Sequence, residues 1–196
     1  MPEGLVEKHK GWVVAKGFSQ IPGIHYKEIF ASTACMVAMH TVMATTAAED
    51  MELESVNILT AFLNKEIDTE LYIRIPEGLK VEGEPKPGED PKQWVLWLLK
   101  GLYGISEGPR IWALKLHLVL TMIGSKWINC DHSVYIYQHG NARIIMPIHV
   151  DDLLITLNSK TELAVVKSEL AANFKIHNQG LTKSILSIKI KRDWLA

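Results

Sequence analysis

Hydrophobic and polar positions along the chain fall into two clear regimes. In the first, residues 144–150 and 153–156 are nearly unbroken apolar runs of strand length, separated by Asp151 and Asp152. Runs bounded in this way predict two buried strands joined tightly. In the second, Leu163, Val166, Leu170 and Phe174 recur at spacings of three, four and four, which predicts a helix over 161–174 with one apolar stripe. Residues 34–48, rich in Ala and Met and free of Gly and Pro, predict a buried helix. Residues 109–123 predict another, with Pro109 near its start, where helices tolerate proline. Strands are predicted over 12–16, 51–58, 71–75 (ended by Pro76) and 94–99. A further strand over 133–138 pairs with 144–150 across Gly140-Asn141, and 185–190 alternates as a closing strand. Residues 80–92, rich in Pro, Gly and Glu, predict a solvent loop. Helices mixed with antiparallel hairpins imply an α+β fold.

Composition narrows the class. A chain of 196 residues suits one domain, or one with two lobes, and 47% hydrophobic content is enough for a core, which argues against global disorder. The apolar runs are too short to span a bilayer, and the first ten residues lack the apolar core of a secretory signal. Two cysteines, Cys35 and Cys130, have no metal-type spacing and fit a reducing intracellular compartment, cytoplasmic or nuclear. The formal net charge of −1 gives no support to a nucleic-acid partner and does not forbid one. The eight histidines form no HxxxH or HxH pair, so no zinc site is expected.

The chemistry concentrates at Asp151-Asp152. Adjacent carboxylates at a tight turn repel each other and pay for desolvation, and a bound cation is the simplest remedy. Hard, oxygen-ligated Mg²⁺ fits best and usually accompanies phosphate chemistry. A solvated acidic hairpin tip explains the same two residues equally well.

His149-Val150-Asp151-Asp152-Leu153-Leu154-Ile155 resembles the "YVDDLLI" box of reverse transcriptases from copia-type LTR retrotransposons. Further blocks resemble the same family in the same order. They are Val14 to Gln20 with Pro22-Gly23-Ile24 ("VAKGFSQ…PGI"), Thr60-Ala61-Phe62-Leu63-Asn64 ("TAFLNG"), and Leu71-Tyr72-Ile73 with Pro76-Glu77-Gly78. Leu102-Tyr103-Gly104 with Pro109, Arg110 and Trp112 follows ("LYGLKQAPRAW"), then Asp131 to Tyr135 ("DHSVY"). The resemblance runs over 4–190 and implies a fingers-and-palm architecture, with an antiparallel palm sheet packed on helices. It also implies RNA-directed DNA polymerase activity by two-metal nucleotidyl transfer with Mg²⁺ (or Mn²⁺), and an RNA/DNA primer-template and deoxynucleoside triphosphate (dNTP) as partners.

The resemblance also exposes departures. Three aspartates hold the metals in the family. Two match Asp151 and Asp152, but the third falls on Asn57, whose amide offers a neutral oxygen and no charge. Losing such a group costs on the order of 10²–10³ in rate. Ser55 and Leu53 share the face of Asn57, so Glu52 and Glu54 are no substitute, and Asp68 lies beyond a loop. Trp12 occupies the position of the family's triphosphate-binding Arg and cannot make its bidentate contact, leaving Lys10 and Lys16 to hold phosphate less specifically. By the same resemblance Phe62 matches the residue that excludes ribose by its bulk, but on sequence alone it reads more readily as a core aromatic. His149 replaces the family's Tyr and reads as a tolerated change rather than a metal ligand. Glu107 stands where the family has a neutral amide, Ser187 where it has Gly, and Pro147 lies in the strand feeding Asp151. Together these imply an eroded copy with polymerase activity absent or very low.

By the same resemblance the chain enters midway through the first fingers hairpin and ends just past the closing strand, so a fragment without thumb, ribonuclease H, integrase or protease is expected. The competing expectations are a non-catalytic nucleic-acid or protein-binding remnant, with Trp94, Trp97, Trp112, Tyr103 and Tyr135 as candidate aromatics, and a relic without function.

Overall fold

The computed structural model describes residues 11–67, 69–76, 78–79, 90 and 93–192. Its centre is a six-stranded antiparallel sheet. In chain order its strands are β1 (Glu52–Ile58), β4 (Lys126–Ile128), β5 (Asp131–His139), β6 (Ala142–His149), β7 (Asp152–Leu157) and β8 (Ile176–Leu181). In space they lie β4-β5-β6-β7-β1-β8. Three helices pack on the sheet, α1 (Met36–Ala48), α2 (Gly108–Met122) and α3 (Lys160–Asn173). Two short ribbons complete the fold: β2 (Tyr72–Arg74) with β3 (Val95–Trp97), and β9 (Ser184–Ile185) with β10 (Ile188–Lys189). The α+β expectation is met.

The apolar runs are continuous because the inner strands are covered on both faces. Ile144, Met146, Ile148, Leu153, Ile155 and Leu157 turn to one face, where they meet Trp112, Leu116, Val119 and Leu120 of α2 and Leu163, Val166 and Leu170 of α3. Ile145 and Leu154 turn to the other face and meet Met39 and Val42 of α1, together with Ile185 of the β9–β10 ribbon. Alternation along a pleated strand sorts neighbours between the two cores. On the α1 face a hydroxyl pair, Thr46 Oγ1 to Thr156 Oγ1 at 2.8 Å, satisfies two buried polar groups. Helix α1 therefore buries one side only; Val37 on its other side is exposed.

Helix ends follow their sequence signals. Ser159 caps α3 by accepting from the Glu162 N–H, and Pro109 opens α2. The stripe of Leu163, Val166 and Leu170 is buried, with Phe174 as the C-cap.

Several expectations need correction. Residues 12–16 form no strand; the segment meets the rest of the fold through Ala15 N–H donating to the Tyr103 carbonyl at 2.8 Å. A strand requires a partner ladder, and among the described residues none lies beside it. The closing segment 185–190 is not one strand but a tight hairpin, in which Leu186 and Ser187 adopt φ of +47° and +67°. Ser187 thus occupies, at a conformational cost, a left-handed position that glycine takes freely. Pro147 does sit inside the sheet. Its β5 partner is Val134, and the β6–β7 register passes from Ile145↔Thr156 to Ile148↔Leu153 without pairing at Pro147. The sheet absorbs the missing donor by a local break in one ladder. The solvent loop expected over 80–92 falls, apart from Asp90, outside the described residues, as do Lys10 and Asp68.

Candidate functional site

The hairpin of β6 and β7 ends in a two-residue turn, Val150 and Asp151, with His149 paired to Asp152. Val150 has φ of +59°. That conformation is rare for a β-branched residue and costs on the order of 1–3 kcal/mol. Three elements hold the turn against this cost. The Trp112 indole N–H of α2 donates to the Val150 carbonyl at 2.7 Å. The Ile58 N–H, at the end of β1, donates to the Asp151 carbonyl at 2.8 Å. The Ala34 N–H donates to the Ile148 carbonyl at 2.8 Å just before the turn. Strain persists where surrounding structure over-determines it.

Strand β1 brings Asn57 opposite Asp152 in register. Its side-chain amide lies between the two carboxylates: Nδ2 donates to Asp152 Oδ1 at 2.8 Å and to Asp151 Oδ2 at 3.2 Å. The fold thus unites Asn57, Asp151 and Asp152, all half-buried. The sequence showed an amide in place of a charged oxygen; the structure adds that the amide turns its N–H groups, not its oxygen, to the two carboxylates. Glu54 faces the opposite way and pairs with Lys167 of α3, as strand alternation requires.

The remaining candidate residues differ in burial and in partners. Phe62, on a short 3₁₀ turn over Ala61–Asn64, is half-buried at the edge of the main core. Its ring packs edge-on against Tyr103, centroids 4.7 Å apart. Burial, and next the negative charge of Asp151, raise the Tyr103 hydroxyl above the usual tyrosine value. Lys16 is exposed on the segment that docks beside Tyr103. That docking demands glycine on both sides. A Cβ on Gly17 would stand 1.8 Å from the Gly104 carbonyl oxygen, and Gly104 itself has φ of +91°. Trp12 is exposed. His149 is half-buried, with no hydrogen bond to Nδ1 among the described residues. Of the candidate stacking aromatics, Trp112 and Tyr135 are buried, Tyr103 is half-buried, and Trp94 and Trp97 are exposed. In the sequence Tyr103 and Trp112 stood out as parts of recognisable blocks and as candidate stacking aromatics; the Trp112 bond to Val150 and the proximity of Tyr103 to the charge of Asp151 appear only in three dimensions.

A family match covers residues 3–194 and carries the description reverse transcriptase (RNA-dependent DNA polymerase). The chain belongs to this family. Its relatives place it with the copia type. The chain is 33% identical over 187 residues to the retrovirus-related Pol polyprotein from transposon TNT 1-94 of Nicotiana tabacum, covering 95% of the chain and 14% of that polyprotein. It is 28% identical over 190 residues to the Pol polyprotein from transposon RE1 of Arabidopsis thaliana, covering 97% of the chain and 12% of that protein. Against the putative transposon Ty5-1 protein of Saccharomyces cerevisiae it is 28% identical over 131 residues, covering 67% of the chain and 40% of the relative. The chain thus spans a small part of the long polyproteins it matches. No solved structure matches it significantly.

Family membership implies use of divalent cations in general. Tested against the residues present, that implication meets an obstacle. Among the described residues no group of three or more His, Cys, Asp or Glu side chains converges. The space between Asp151 and Asp152 is taken by the N–H groups of Asn57. The donor set as it stands does not fit a pair of divalent ions, each of which needs several anionic oxygens. Among the described residues no helix is long and apolar enough to cross a membrane.

Proposed function

We propose that residues 4–190 are a copia-type reverse transcriptase domain of fingers-and-palm form, with the six-stranded sheet as its palm, and that this copy lacks polymerase activity. In this reading Asp151 and Asp152 stand at two of the three positions whose carboxylates are catalytic and hold metal in the family, and Asn57 stands at the third. Phe62 and Lys16 would meet the incoming dNTP, with Lys10 as a further phosphate-binding candidate by its place in the sequence, and a primer-template would cross the same face. Mg²⁺, with Mn²⁺ as its usual substitute, is the ion such chemistry employs. One observation carries the proposal: β1 delivers Asn57 to the strained turn of Asp151 and Asp152, within hydrogen-bond distance of both carboxylates. An aspartate at this position would complete a three-carboxylate site without any change of backbone.

The test is Mg²⁺-dependent primer extension on an RNA template. The natural chain is expected to be silent, and Asn57→Asp to extend the primer by at least about 10²-fold over it, the scale set by removal of one electrostatic group. Extension by the natural chain that Asp151→Asn abolishes would overturn the assignment of inactivity.

A second reading, a non-catalytic nucleic-acid-binding remnant, draws support from Trp94 and Trp97, both exposed on or beside the β2–β3 ribbon and free to stack on bases. Salt-dependent binding of single-stranded RNA, lost in Trp97→Ala without change in folding, is its signature.

A further inference from the structure

We infer that Asn57 has replaced the divalent cation itself: its side-chain NH₂ holds Asp151 and Asp152 together, and the stability of this centre no longer depends on metal. The inference rests on the assignment of Asp151 and Asp152 as the family's carboxylates, and concerns what occupies the space between them.

Two adjacent carboxylates at a half-buried turn need a positive partner. A divalent cation supplies it from outside the chain. Here one nitrogen reaches both groups, at 2.8 Å to Asp152 Oδ1 and 3.2 Å to Asp151 Oδ2. An amide NH₂ has two hydrogens, one for each carboxylate, so a single uncharged side chain satisfies both. Hydrogen bonds to charged acceptors are among the strongest a neutral donor makes. No cationic side chain is bonded to either carboxylate among the described residues. For a cation to enter, the amide must swing away and give up both bonds, and the ion then gains a neutral oxygen in place of an anionic one. Both changes lower its affinity. The same three positions thus serve as a metal-free clamp that closes the end of β1 onto the β6–β7 turn, alongside the backbone bond from the Ile58 N–H to the Asp151 carbonyl at 2.8 Å.

The test compares melting temperatures in EDTA and in about 10 mM Mg²⁺ for the natural chain and Asn57→Asp. The natural chain is expected to melt at the same temperature in both. Asn57→Asp, with three carboxylates and no partner, is expected to melt about 5–10 °C lower in EDTA and to recover most of the loss with Mg²⁺. A natural chain that gains as much from Mg²⁺ as the variant, or a variant as stable as the natural chain in EDTA, would overturn the inference. A second readout needs no variant. The side-chain NH₂ signals of Asn57 in the natural chain are expected to keep their width when Mn²⁺ is titrated, and broadening at low Mn²⁺ would equally overturn it. Neither readout uses primer or template, so the polymerase assay can fail or succeed independently of them.

Discussion

The β6–β7 turn and the β2–β3 ribbon are both antiparallel pairings, but they are held in opposite ways. The turn is flanked by cores on both faces of the sheet, and its carbonyls receive the Trp112 indole and the Ile58 amide. The ribbon has three residues in each strand, of which Tyr72, Arg74, Val95 and Trp97 are exposed; only Ile73 and Leu96 are half-buried. The difference separates two uses of apolar residues. On the sheet they hold the strands that position Asn57, Asp151 and Asp152. On the ribbon they are surface, contributing little to folding and open to a partner.

Substitutions can break or sharpen this contrast. The largest effect is expected for Trp112→Phe, which keeps most of the ring volume but leaves the Val150 carbonyl without its donor. An acceptor orphaned at this half-buried turn costs about 1–3 kcal/mol, read by urea denaturation. A loss well below 1 kcal/mol would show that the turn does not depend on this bond. The smallest is expected for Trp97→Ala, 61% exposed in the ribbon, at within about 0.5 kcal/mol of the natural chain. A loss above 2 kcal/mol would mean that the ribbon belongs to the folded core.

The same contrast explains what the sequence could disclose. Strands β1, β5, β6 and β7 were legible because burial on one or both faces writes itself as apolar residues, and α3 because its stripe has helical spacing. The edge strands β4 and β8 were not. Their exposed positions carry polar groups such as Lys126, His177 and Gln179, and one-sided packing leaves too few apolar residues to form a signal. Residues 12–16 misled for the converse reason: Trp12, Val13 and Val14 have strand propensity, yet a strand exists only with a neighbour to pair. At the site, the residue types at 57, 151 and 152 were readable by resemblance to the family. The direction of the Asn57 bonds was not, because an amide is both donor and acceptor and only the surrounding carboxylates decide which end they meet. The clamps on the turn, Trp112 and Ile58, are far from it in sequence and carry no local mark of that role.

The most direct measurement of the central claim, that Asn57 is what separates this centre from a cation site, is anomalous diffraction from crystals of the natural chain and of Asn57→Asp soaked in Mn²⁺. The account predicts an anomalous peak beside Asp151 and Asp152 in the variant and none in the natural chain. Peaks of equal height in both would contradict it.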